Sequence, residues 1–180
     1  MIDGIKLVRV DFRLIHGQVI TKWSNTISAK EIIVVNDQLS KDEYMAEIYI
    51  MAAPPGMKVN VLSINDFVTQ AKNNAYASGN VLVLFKNIKD ARDTVDLGIP
   101  FKQVQVGGLG SGNGRTSVVK GISIDAADVD FHFCWHSQDT GQDSALIVAN
   151  DFQFHHILLI QSDIPANLDH PGKVRIVEDI

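Results

Sequence analysis

Only one cysteine, Cys134, occurs in 180 residues. This excludes an internal disulfide and fits a reducing cytosol. Basic residues are also scarce. Sixteen Lys and Arg against 21 Asp and Glu leave a formal net charge of −5, which argues against a nucleic-acid surface, because that needs a basic patch. No stretch approaches the ~20 apolar residues that span a bilayer. Met1-Ile2-Asp3-Gly4 lacks the charged and apolar regions of a signal peptide. No repeat period is visible. The glycine-rich run from Gly107 to Gly114 is followed by no Lys-Ser or Lys-Thr pair, which excludes a phosphate-binding P-loop.

What is present is ordinary for a globular chain: 46% hydrophobic and 21% charged residues. The length suits a single domain over 1–180 that buries about two-thirds of its unfolded surface. Short apolar runs at Ile5–Val10, Glu31–Val35, Val59–Leu62, Val81–Phe85 and Val104–Val106 read as strands. Between them, helical periodicity marks Gln18–Asn25, Lys41–Ala53, Asn65–Ala75 and Asn87–Leu97. Ser40 with Glu43, and Ser63 with Asp66, have the spacing of a helix cap with an acidic partner. Pro54-Pro55-Gly56 ends the second helix. This alternation predicts an α/β fold with an open, mostly parallel sheet and helices on both faces. Ligands in such sheets sit beyond the carboxyl ends of the strands.

The segment Val8-Arg9-Val10-Asp11-Phe12-Arg13-Leu14-Ile15-His16-Gly17-Gln18-Val19 places a histidine at that address, in the loop after the first strand. His16 there is suited to metal ligation, to general-base work or to carrying a phosphoryl group on a ring nitrogen. Two nearby arginines favour the third, because guanidinium groups repel a metal ion but bind phosphate oxygens bidentately. Arg13, three residues from His16, is the better phosphate clamp. Arg9 points either into the opposite face of the crossover or toward a partner. Asp11 either fixes the imidazole tautomer, orients an arginine, or is a turn residue at the strand end. Gln18 and Trp23 read as structural, and Asn36-Asp37 as turn residues on the same sheet edge. Gly107 and Gly108 begin a loop after the fifth strand that is either a surface connection or a backbone closing over a phosphoryl group or partner. His132, Cys134 and His136 share one strand face or one helix face, but no second ligand group of recognised spacing supports a metal site.

The histidine segment resembles the active-site loop of the IIB subunits of the mannose–fructose–sorbose family of the bacterial phosphotransferase system. Further matches are Val34-Val35-Asn36-Asp37, Lys41-Asp42-Glu43, Met51 to Val59, Val83-Leu84-Phe85-Lys86-Asn87 and Val106-Gly107-Gly108-Leu109-Gly110. The resemblance covers roughly residues 5 to 125, and Phe12 stands where most of the family has a second aspartate. It implies a phosphocarrier enzyme in which His16 is the phosphorylated residue. Arg13 and Asp11 would assist catalysis, and Arg9, Gly17, Gly107 and Gly108 would bind phosphate or a partner. No cofactor or metal is implied. The implied partners are a IIA donor, the membrane IIC and IID subunits and a sugar. The implied location is cytoplasmic, at the inner membrane face through those subunits, and members often form homodimers. The alternative reading is a regulatory module that binds phosphate or sugar phosphate without transferring it. Residues 130–167 depart from the family pattern. They are rich in His, Phe and Gln, with strands at Ser144–Ala149 and His155–Ile160 and no clear helix between them.

Overall fold

A computed structural model describes residues 2–17, 19–77, 79–101, 104–119, 121–128, 146–151, 154–159 and 175–178. The chain divides into two compact units, Met1–Val104 and Gln105–Ile180.

The first unit is built on four strands, β1 (Ile5–Asp11), β2 (Glu31–Val35), β3 (Lys58–Leu62) and β4 (Val81–Phe85). They run parallel in the order β3-β2-β4-β1. Every residue of β4 is buried, so it has apolar contacts on both faces, as its unbroken Val-Leu-Val-Leu-Phe run demands. One face carries a cluster of Leu14, Ile15, Val19, Trp23, Ile32, Val34, Leu82 and Leu84, with Met45 and Tyr49 of α2 (Glu43–Met51) packed against it. On the other face, Phe85 meets Phe67 and Phe101 edge-on, and Phe67 stacks on Tyr76. Each such side chain, once fully buried, contributes roughly 1.5–3 kcal/mol. Phe67 belongs to α3 (Ile64–Lys72), whose Ile64, Phe67, Val68 and Ala71 form a buried stripe at helical spacing. The helix α4 (Ile88–Asp96) turns Ile88, Ala91 and Thr94 inward. Helices therefore cover both sheet faces, as the alternation of runs predicts. No helix among the described residues is long and apolar enough to cross a membrane.

Two local expectations need correction. Ser63 caps α3, accepting from the Asp66 N–H at 3.1 Å, but Ser40 does not cap α2. Ser40 lies in a short 3-10 turn, Leu39–Lys41, and Asp42 accepts the Met45 N–H instead. That tighter turn moves the helix start two residues on, where an aspartate is equally able to cap. The expected first helix is a π-helical turn, Val19–Trp23, running into the single turn α1 (Ser24–Thr26).

In the second unit, β5 (Gln105–Gly108) takes in Gly107 and Gly108, both buried. They are strand residues, not the start of a loop, because the extended run continues through two residues whose small size suits a buried strand. A hairpin of β6 (Thr116–Val119) and β7 (Ile122–Ile124) follows. Beyond it, β8 (Leu146–Asp151), β9 (Phe154–Leu159) and β10 (Arg175–Glu178) form an antiparallel sheet in the order β10-β9-β8. The first two match the strands read in this atypical region. Gln18, His132, Cys134, His136 and His170 lie outside the described residues.

Candidate functional site

The chain leaves β1 at Asp11 and turns sharply, with the Leu14 N–H donating to the Asp11 carbonyl at 2.9 Å. Leu14 holds φ +54°, an uncommon and costly conformation for a bulky residue. Its side chain is fully buried in the sheet-face cluster. Burial of that side chain is the physical compensation for the strained backbone, and together they carry the loop round to His16. No glycine or asparagine stands at this position to signal the turn.

Asp11 is the centre of the site. Its carboxylate is fully buried and accepts from Arg9 Nη2 at 2.9 Å. Arg13 binds it bidentately, Nε to Oδ1 at 2.9 Å and Nη2 to Oδ2 at 3.1 Å, while the Arg13 N–H donates to Oδ1 at 3.2 Å. Burial pushes the Asp11 carboxyl up, but the Arg13 hydrogen bonds and the Arg9 charge outweigh it and hold the group below the usual value of 3.8. It stays ionised.

His16 faces this carboxylate, with Nε2 at 3.4 Å from Asp11 Oδ2. Its Nδ1 accepts the Val19 backbone N–H at 3.3 Å. An accepting Nδ1 carries a lone pair, so the neutral ring keeps its proton on Nε2, toward Asp11. Nδ1 therefore points at the turn that opens at Val19, where a backbone N–H is directed toward it.

The two arginines differ in setting. Arg9 is fully buried, and its guanidinium carbon lies 5.1 Å from the Trp23 ring centroid. Arg9 and Asp11 share a sheet face, as the two-residue strand period requires; that period, applied to the sequence, would have paired them. Arg13 is 38% exposed and sits 5.8 Å from the ring of Phe12, itself an exposed aromatic. Gly17 is exposed, with open space where a Cβ would stand. Asn36 and Asp37 reach neighbouring elements rather than His16. Asn36 donates to Asp90 at 2.7 Å, and Asp37 accepts the Ile64 N–H at 2.8 Å. The Val19 N–H and the Leu14 backbone are the features that residue-by-residue reading missed, since neither depends on side-chain identity.

A histidine, a buried anion and two guanidinium groups meet at one sheet edge, an arrangement chemically suited to an anionic phosphoryl group. Comparison with known proteins identifies the family. Residues 5–161 match the family described as PTS system sorbose subfamily IIB component. The sorbose-specific EIIB component of Lacticaseibacillus casei is 41% identical over 125 residues, covering 69% of this chain and 76% of that one. The fructose-specific EIIB component of Bacillus subtilis is 32% identical over 126 residues, covering 70% and 77%. The crystal structure of the IIBSor domain of the Klebsiella pneumoniae sorbose permease superposes with a TM-score of 0.73 at 31% identity, covering 90% of this chain and 91% of that one. These matches do not favour a module that only binds phosphate. The chain belongs to the sorbose subfamily of phosphotransferase-system IIB components, and it is a phosphocarrier of the mannose–fructose–sorbose family.

Proposed function

We propose that His16 is the phosphorylated residue and that Nδ1 is the atom that carries the group. The observation that carries this reading is that His16 Nε2, which makes no hydrogen bond among the described residues, lies 3.4 Å from the buried Asp11 carboxylate. As the Nδ1–P bond forms and the donor's N–P bond breaks, positive charge develops on the imidazole, and the fixed Asp11 anion stabilises it. Arg13 supplies charge-assisted hydrogen bonds to the phosphoryl oxygens, and the Val19 N–H turns from Nδ1 to one of them. Arg9 holds Asp11 from below. Catalysis is positioning and electrostatics, as in-line phosphoryl transfer requires. Gly17 leaves room for the incoming group. A part for Gly107 and Gly108 in binding rests on the resemblance alone.

As a IIB component the chain works with a IIA donor, with membrane IIC and IID components and with a sugar. The whole chain acts as one IIB domain, which the match over 5–161 supports. Its relatives are named for sorbose, mannose, fructose and N-acetylgalactosamine, which supports a hexose or amino sugar as the acceptor. A cytoplasmic location, attachment to the membrane through these subunits and a homodimer complete the proposal.

The test is phosphorylation from phosphoenolpyruvate through the general phosphotransferase proteins and a cognate IIA. Wild type should gain an acid-labile, base-stable phosphate, and His16→Ala should gain none while its melting curve moves by no more than about 1 kcal/mol in stability. Equal incorporation by His16→Ala removes the assignment.

A further inference from the structure

We propose that Lys86 is a further cation of the phosphoryl site, one that neutralises the group carried on His16; this deepens the reading of His16 and rests on it. The argument begins with the sheet. β1 and β4 pair in parallel, with Arg9 beside Leu84 and Val10 beside Phe85. Asp11 is the last residue of β1, and Lys86 directly follows Phe85 at the same carboxyl edge of the sheet. Side chains alternate between faces along a strand. Phe85 packs with Phe67 and Phe101 on one face, whereas Leu82 and Leu84 join Leu14, Ile15, Val19 and Trp23 on the other. Lys86 thus leaves β4 at the sheet edge where the neighbouring strand β1 ends and the His16 loop begins.

Its environment is unusual for a lysine. It is half-buried, whereas every other described lysine is exposed. Lys58 pairs with Glu31 and Lys89 with Asp93, but Lys86 makes no ion pair among the described residues. A partly desolvated ammonium without an anion is unfavourable unless an anion arrives. Charge balance at the site asks for such a cation. Two guanidinium groups against one carboxylate leave a single positive charge around a neutral His16. A phosphoryl group brings about two negative charges, so phosphorylation leaves about one uncompensated. Lys86 supplies the missing charge. Lys22, the nearest rival in sequence, is exposed, with its ammonium 5.0 Å from the Trp23 ring.

The experiment compares wild type with Lys86→Arg, Lys86→Met and Lys86→Glu, each as the full chain, for the rate of phosphoryl acceptance from a phosphorylated IIA protein and for stability in urea. Rates should stay near wild type for Lys86→Arg, fall roughly a hundredfold for Lys86→Met, and fall further for Lys86→Glu. Stability should not fall in Lys86→Met, since Lys86 makes no ion pair among the described residues. Wild-type rates in Lys86→Met and Lys86→Glu overturn the assignment of Lys86 and leave that of His16 standing. So does a loss of rate that Lys86→Arg shares, which would mark a packing role. A wild-type chain that takes up no acid-labile phosphate overturns both.

Discussion

Asp11 and Arg9 form a fully buried ion pair, 2.9 Å from Oδ2 to Nη2, one strand period apart at the carboxyl end of β1. The same oxygen lies 3.4 Å from His16 Nε2. One carboxylate atom therefore links the buried Arg9 charge to the His16 imidazole, so the proposed chemistry and fold stability share a single residue.

Replacing Asp11 by asparagine keeps its shape and removes the charge that Arg9 needs. Stranding a buried guanidinium costs about 3–5 kcal/mol, so Asp11→Asn should unfold at much lower urea and Arg9→Met/Asp11→Asn should recover part of the loss. The pH dependence has a definite sign. Asp11 titrates below the unfolded value of 3.8 when folded, so its stabilisation is complete above the ordinary carboxylate pKa of about 4 and is lost as pH falls through the folded value. Urea titrations of both proteins should give a gap that narrows on acidification; a gap independent of pH removes Asp11 as the source.

Arg13 separates charge from geometry. Its planar fork spans both Asp11 oxygens and remains 38% exposed. Phosphoryl transfer should fall in the order wild type, Arg13→Lys, Arg13→Ala, with a loss of ~2.7–4 kcal/mol in the last, two to three decades in rate. Stability should fall by less than in Asp11→Asn, about 1–3 kcal/mol, since Arg13→Ala removes charge-assisted hydrogen bonds from a buried carboxylate that Arg9 still pairs. Rapid-quench kinetics beside thermal melts decide it: full activity with a large drop in melting temperature would make Arg13 structural.

Leu14 tests whether the loop is held from the core. Leu14→Ala removes a fully buried side chain that sits at φ +54°, and should cost about 2–5 kcal/mol. Because the strained turn then loses its anchor, the rate of phosphorylation should fall as well, although Leu14 touches no phosphate. Wild-type transfer in a destabilised Leu14→Ala would show that the loop holds its shape without the core.

Two glycines should respond in opposite ways. Gly4 lies at φ +88°, and a Cβ there would stand 1.6 Å from the Tyr76 carbonyl oxygen. Gly4→Ala should therefore lose at least about 2 kcal/mol. Gly17 has nothing within 4 Å of a built Cβ, so Gly17→Ala should stay within about 0.5 kcal/mol of wild type. Chemical denaturation of the two variants side by side checks both.

Much of the first unit was legible because its signals are local. Val81-Leu82-Val83-Leu84-Phe85 is apolar at every step, which only a strand covered on both faces satisfies, and Ile64, Phe67, Val68 and Ala71 recur at helical spacing. Asp42 rather than Ser40 caps α2 because two neighbouring residues were both competent, and a single 3-10 turn chose between them. Gly107 and Gly108 read as a loop because glycine carries no pattern of its own.

By its own composition and order, the chain determined a parallel α/β frame and put His16, Arg13 and Asp11 on one short loop at the end of β1, since these follow from periodicity and from covalent proximity. Tertiary structure alone decided what that loop does with them. The core takes up Leu14 and forces the turn, Trp23 closes over Arg9, and the pairing of β4 with β1 puts Phe85 beside Val10 at the edge where the loop begins. Each of these depends on contacts between elements distant in sequence or on a backbone angle that no side chain announces. Such contacts exist only once the sheet has formed.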